Sequence, residues 1–207
     1  MEAVTGFFRE LLLSFIPLFV AVDALGLVPI VLGLEAEMKP KERSRMLRYA
    51  MVTALVIGLA FAFLGKLILG VLGISESHFL VAGGLILLLL AARSLLVGDR
   101  GDTGSPEELD TIGVFPIGVP LIAGPAVLTT LLVLLDRYSI APVLIAFVLN
   151  LSLAWIMFAQ ASKLSRFLGR GGIKAASKIA MLLLAAIAVA MVHRGILQLI
   201  ETGDIAM

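Results

Sequence analysis

The sequence predicts an all-α membrane protein: six transmembrane helices arranged as two inverted three-helix repeats, with spans one and four broken. Three observations carry this reading. First, 60% of the 207 residues are hydrophobic and only 15% are charged, whereas a soluble domain holds ~45–50% apolar and ~25% charged residues. The mean hydropathy of +1.11 agrees, and an exterior facing water cannot accommodate so much apolar surface. Second, six apolar runs are each long enough to cross ~30 Å of hydrocarbon, which takes ~20 residues. Third, Pro and Gly interrupt the first run of each half. Disorder, collagen and disulfide scaffolds are excluded, because hydrophobicity is high and there is neither a G-X-Y period nor any Cys.

The first run, Phe7 to Leu34, contains Pro17, Asp23, Gly26 and Pro29. No small-residue cleavage site follows a short apolar core, so it is read as a retained span. The second runs from Tyr49 to Leu72 with one charge, Lys66, and the third from Phe79 to Val97 with Arg93 near its end. The fourth, Ile112 to Leu135, carries Pro116, Pro120, Gly124 and Pro125. The fifth is Ile140 to Ser162, with Pro142 in its first turn, where proline is tolerated. The sixth is Ile179 to Ile200. The runs are too long, and lack the alternation, for barrel strands.

Lys and Arg in the connections set the orientation. The connection between spans one and two holds Lys39, Lys41, Arg43, Arg45 and Arg48; that between five and six holds Lys163, Arg166, Arg170, Lys174 and Lys178. Arg93 and Arg100 flank the connection between three and four. The other side has Arg9, Lys66, Arg137 and Arg194. The odd-numbered connections are therefore expected in the cytoplasm and both termini outside. The chain is read as a multi-pass protein of the cell (inner) membrane.

A polar linker, residues 98–111, separates a first three-helix repeat, 1–97, from a second, 112–207. An odd number of spans per half makes equivalent halves cross in opposite senses, the architecture of many secondary transporters. That architecture predicts interrupted spans at matching positions, and spans one and four meet the prediction. A mid-helix proline removes a donor and clashes with the preceding turn. In lipid such a break survives only against protein or a polar cavity. A half-helix N-terminus there suits a carboxylate, and opposing carbonyls suit a cation.

Asp23 is the one acid deep inside a span, where a charge costs ~2.5–3.5 kcal/mol. It is expected to face the bundle interior, either as a ligand for an ammonium or coupling ion or as a cap on the second half of span one. Thr129 and Thr130 follow the Gly124-Pro125 break and either bind substrate or bond back to their own helix. Asn150, deepest of the polar groups in span five, either lines a cavity or ties helices together. Lys66 and Arg194 are expected to snorkel, and His193 to be interfacial. Gly58, Gly83, Gly84, Ala186 and Ala190 read as small-residue packing faces. The net charge of +1 excludes a nucleic-acid partner. His-Glu-x-x-His, Walker A and Gly-x-Ser-x-Gly are all missing, so no enzyme, metal site or resident cofactor is expected.

Several motifs resemble the MarC family of integral membrane proteins. The stretch Asp23-Ala-Leu-Gly26-Leu-Val-Pro29-Ile resembles its first-span motif, Asp-Pro-x-Gly-Asn-x-Pro. Pro120-Leu-Ile-Ala-Gly124-Pro125-Ala-Val-Leu-Thr129-Thr130 resembles its fourth-span signature, Pro-Leu-Ile-Ala-Gly-Pro-Gly-Ala-Ile-Thr-Thr. Gly73-Ile-Ser75 with Phe79 and Ala82-Gly83-Gly84, and the sixth span from Leu183 to Gly195, are similar to the family as well. The chain departs from the motifs at Ala24, Leu27 and Ala126. The resemblance implies six spans in the inner membrane and transport of small neutral amino acids such as glycine and alanine. Carried over, it marks Asp23, Gly26, Pro29, Gly124, Pro125, Thr129 and Thr130.

The combined expectation is a secondary active transporter of a small zwitterionic amino acid, coupled to H+ or Na+. Backbone N–H groups near Ala126 and Val127 are expected to hold the carboxylate, and Asp23 the ammonium or coupling proton, with Asn150 nearby. The alternatives are a channel or exporter for an ion or another small solute, and a non-transporting scaffold. Membrane lipid is the surrounding partner, and a homo-oligomer is left open.

Overall fold

The computed structural model describes residues 2–34, 38–97 and 113–202. All regular structure among them is helical. Helix α1 is Glu2–Val22, α2 Ala24–Leu34, α3 Pro40–Leu72 and α4 Glu76–Val97. An irregular helical segment, α5, spans Gly113–Ile122, followed by α6, Pro125–Arg137, and α7, Ile140–Thr202. Five stretches are long and apolar enough to cross a membrane, and a sixth forms if α5 and α6, bent by 51°, count as one span. Their bounds, Thr5–Leu32, Pro40–Leu72, Glu76–Arg93, Ile140–Ala161 and Met181–Glu201, follow the predicted runs except at the start of the second, which begins at Pro40 rather than Tyr49. The expected linker, 98–111, lies outside the described residues, as do Arg100, Ile112 and the side chains of Lys163, Arg166, Arg170 and Lys174.

Helix ends follow local chemistry. The Lys39 N–H donates to Glu42 Oε2 at 2.8 Å, and Pro40 occupies the first turn of α3, where its missing donor costs nothing. Gly73 closes α3 in the left-handed region, φ 63, with Ile74 N–H reaching back to Leu69 O at 2.9 Å.

α7 is one helix by backbone hydrogen bonding but two spans by composition. A straight helix of 63 residues would reach ~95 Å. Instead Gln198, near its end, and Tyr138, just before its start, border the same cavity. The helix therefore doubles back, and its two spans run antiparallel.

Polar ties place the span ends on two faces. Glu10 Oε2 accepts the Ser139 N–H at 3.0 Å, Lys66 pairs with Asp136, and Ser77 Oγ donates to Gln198 at 3.3 Å. At the opposite face, Arg43 donates to the Phe158 carbonyl at 2.6 Å. Both ends of the described chain thus share a face, and the Lys/Arg-rich connections share the other. The membrane core packs by close approach of small residues, as it must where lipid is as apolar as the side chains. Gly58 receives the Phe147 ring, Gly83 the Pro125 ring, and Gly84 lies against the backbone of Ala188 and Val192. Val20, Val71 and Leu89 point outward, as lipid-facing side chains do.

Candidate functional site

The first interruption is one residue wide. α1 ends at Val22 and α2 begins at Ala24; Asp23 between them has φ 44, a region Asp enters more readily than most residues. Its Oδ1 accepts the Gly26 N–H at 3.2 Å. The backbone ladder persists on both sides, Asp23 N–H to Phe19 O at 3.2 Å and Leu27 N–H to Asp23 O at 3.0 Å. Two facing helix ends are therefore not opened here, and Pro17 and Pro29 lie inside α1 and α2 rather than at the break. Asp23 also does not face the interior as expected. Its side chain is exposed, while Val22, Ala24 and Leu27 take the packed face, and the capping bond holds the carboxylate along the helix surface. Ala24 and Leu27, the two departures from the family motif in this stretch, are both buried. A side chain at Gly26 would strike the Asp23 carboxylate.

Asp23→Ala is expected to lose about 1–2 kcal/mol of stability through the lost cap and the left-handed backbone. Asp23→Asn, which keeps an acceptor and tolerates the conformation, is expected to lose less than half of that. Thermal unfolding in detergent checks both; equal losses would mean that the charge itself matters.

The second interruption is broader. Phe115 and Val119 are extended within α5 (φ −136 at each), and the Val119–Pro120 peptide is cis. Gly124 is extended, φ −80 and ψ 172, and Pro125 begins α6. The Val127 and Leu128 N–H groups both donate to Gly124 O at 3.0 Å. Gly124, Pro125, Val127 and Leu128 are buried, with the Pro125 ring seated at Gly83. The Val127 N–H is thus bonded within its own turn, Pro125 has no N–H, and the turn is packed against Gly83.

Thr129 and Thr130 lie one turn further on. Their hydroxyls donate to Ala126 O at 3.3 and 2.6 Å, so their lone pairs can only accept from a ligand. Both border a cavity of about 380 Å³ between α1, α4, α6 and α7, within the ~300–1,000 Å³ typical of small-molecule sites. Glu76, Arg137, Tyr138 and Gln198 supply its other polar groups, and Leu13, Pro17 and Leu80 form apolar wall. Of the ten candidate residues, only Thr129 and Thr130 border it. Asp23 is six residues beyond Pro17, ~9 Å further along the axis. Asn150, 2% exposed, donates from Nδ2 to Phe15 O at 3.1 Å and to Ala146 O at 2.9 Å. It ties α1 to α7 at mid-span. The structure thus does not gather Asp23, Gly26, Pro29, Asn150 and the Gly124–Val127 turn into one site with the two threonines.

Glu76, Arg137 and Gln198 are the residues that sequence reasoning missed. Each sits at the end of an apolar run, where a polar residue reads as an interfacial boundary. Only the folding of four spans against each other turns these boundaries into one cavity wall.

The model of the MarC family integral membrane proteins matches residues 8–200. A UPF0056 membrane protein of Pyrococcus abyssi is 33% identical over 186 residues, covering 88% of this chain and 92% of its own. A UPF0056 membrane protein of Methanocaldococcus jannaschii is 33% identical over 195 residues, covering 89% and 95%. The UPF0056 inner membrane protein YhgN of Escherichia coli K12 is 28% identical over 190 residues, covering 91% and 96%. No solved structure matches the chain. With a family match over nearly its whole length, and helices to cross a membrane five or six times, the chain is a multi-pass integral membrane protein that belongs to the MarC family.

Proposed function

We propose that the protein is a secondary active transporter of small neutral amino acids, glycine- or alanine-like, working by alternating access. The observation that carries the reading is the cavity where Glu76 and Arg137 join Thr129 and Thr130. A zwitterionic amino acid carries a carboxylate and an ammonium a few bonds apart. The Arg137 fork suits the carboxylate through paired charge-assisted bonds. Glu76 and the two threonine oxygens, acceptors all, suit the ammonium. The apolar wall leaves a short side chain without polar partners, which favours glycine or alanine over a polar analogue. H+ or Na+ supplies the coupling, and no cofactor or enzymatic step is involved.

The helix pairings support two inverted repeats. Exchanging the halves interchanges spans one and four, two and five, three and six. Span one meets five through Asn150, and span four meets two through Gly113 and Gly118; these two pairings exchange. Span two meets five at Gly58 and Phe147, and span three meets six at Gly84 and Ala188; each maps onto itself. The four spans around the cavity also map onto themselves, as a site shared by two inverted repeats would. The Lys/Arg distribution supports a topology with both termini outside and the three odd-numbered connections in the cytoplasm.

Reconstitution into liposomes tests the reading. Labelled glycine or alanine is expected to enter saturably, faster when unlabelled amino acid is inside. Absence of saturable flux above empty liposomes overturns it. Flux without trans-acceleration would instead favour a channel.

A further inference from the structure

We propose that the exposed stripe at the start of α3 binds the phosphate headgroup of an anionic membrane lipid. Lys41, Ser44, Arg45, Arg48, Tyr49 and Val52 line a second cavity, of about 560 Å³. Positions 41, 44, 45, 48, 49 and 52 follow the i, i+3, i+4 pattern, which puts them on one helix face. The opposite face of the same turns is occupied: Met46, Leu47 and Ala50 are buried, and Gly113 lies against Met46 and Ala50.

Depth places this stripe at the headgroups. α3 has 33 residues, ~50 Å of helix, against ~30 Å of hydrocarbon and ~40–45 Å of bilayer with headgroups. The apolar part begins at Tyr49, so the preceding turns, about 13 Å of helix, stand in the headgroup layer. The stripe is graded accordingly. Lys41, Arg45 and Arg48 lie on the polar side, Val52 on the hydrocarbon side, and Tyr49 at the boundary, where its amphipathic ring is favoured. The Arg45 guanidinium stands 5.9 Å from the centre of the Tyr49 ring, which orients its donor fork.

Not every base in this connection belongs to the stripe. Arg43 is committed to the Phe158 and Ala159 carbonyls, at 2.6 and 3.3 Å. Lys39 pairs with Glu42 at 3.9 Å. Lys41, Arg45 and Arg48 border the cavity, with the Ser44 hydroxyl among them. The Arg48 fork, the Lys41 ammonium and the Ser44 hydroxyl match a phosphodiester, Arg45 adds positive charge beside them, and the apolar end matches the start of an acyl chain. The site is independent of the transport reading.

The test titrates the purified full-length chain in detergent with phosphatidylglycerol, phosphatidylcholine and soluble glycerol 3-phosphate, following bound lipid by native mass spectrometry. Saturable binding of phosphatidylglycerol alone is expected. The triple variant Lys41→Gln/Arg45→Gln/Arg48→Gln is expected to weaken it on the order of 100-fold. Arg48→Gln alone is expected to weaken it about 5-fold, which serves if the triple variant does not fold. Lys39→Gln/Lys178→Gln, removing charge outside the cavity, should change it less than 2-fold. Equal binding of phosphatidylcholine, equal binding of glycerol 3-phosphate, or undiminished binding by the Arg48 variant overturns the proposal.

Discussion

Arg137→Gln is expected to lower kcat/KM for uptake of small neutral amino acids about 10- to 100-fold, with thermal unfolding nearly unchanged. A hydrogen bond to a charged partner contributes about 1.5–3 kcal/mol, and about 1.4 kcal/mol corresponds to a tenfold change. Arg137 is exposed at the last turn of α6, so its loss opens no cavity in the core. Arg137→Lys keeps the charge but not the fork, and is expected to recover only part of the activity. Glu76→Gln is expected to fall by a similar factor, because it removes the acceptor charge for the ammonium. If the two charges hold the two ends of one substrate, Arg137→Gln/Glu76→Gln should lose less than the product of the single effects. Uptake by reconstituted liposomes measures all four variants. An Arg137→Gln protein transporting at full rate would remove the cavity from the pathway.

The largest effect on folding is expected at Gly84. A Cβ there would lie 2.8 Å from the Ala188 carbonyl oxygen and 3.0 Å from the Val192 nitrogen. Both are backbone atoms of the facing helix, so relief requires the helices to separate. Gly195 mirrors this from the other helix, with a Cβ position 2.8 Å from Ser77 O and 3.1 Å from Val81 N. Gly84→Ala is expected to cost about 1–3 kcal/mol, as overpacking does; Gly84→Leu is expected to leave no folded protein in detergent. Gly84→Ala/Gly195→Ala should cost less than the sum, since the first substitution has already parted the seam. Size-exclusion profiles and unfolding midpoints read these outcomes. A Gly84→Leu chain that elutes and unfolds like the parent would refute this packing.

The spans were legible because a helix in lipid must satisfy its own backbone, which forces long, uninterrupted apolar runs. Their bounds could be read to within a few residues at most ends. The exception is α3, which begins at Pro40 rather than near Tyr49. The Lys39–Glu42 cap and Pro40 extend it through a basic stretch that composition alone reads as a connection. The reading of Thr129 and Thr130 as possible site groups meets the cavity, because Thr near a helix start keeps acceptor capacity after bonding back to its own turn. Asp23 reads as the outstanding residue, since one acid among apolar neighbours carries a high local cost. Its left-handed backbone and bond to Gly26 give it a capping task, and only coordinates show on which side of the helix the carboxylate lies.

The sequence by itself determined that this chain lives in a membrane, where its apolar runs lie, and which connections carry the basic residues. Each of these depends on local quantities: run length, mean apolarity and the sign of flanking charge. Tertiary structure alone decided that Glu76, Arg137 and Gln198 share a cavity with Thr129 and Thr130, and that the Gly124–Val127 turn is closed. Those facts depend on which spans touch and at what depth. In lipid that is set by close contacts such as Pro125 at Gly83 and Ala188 at Gly84, between residues far apart in the chain that no linear pattern pairs.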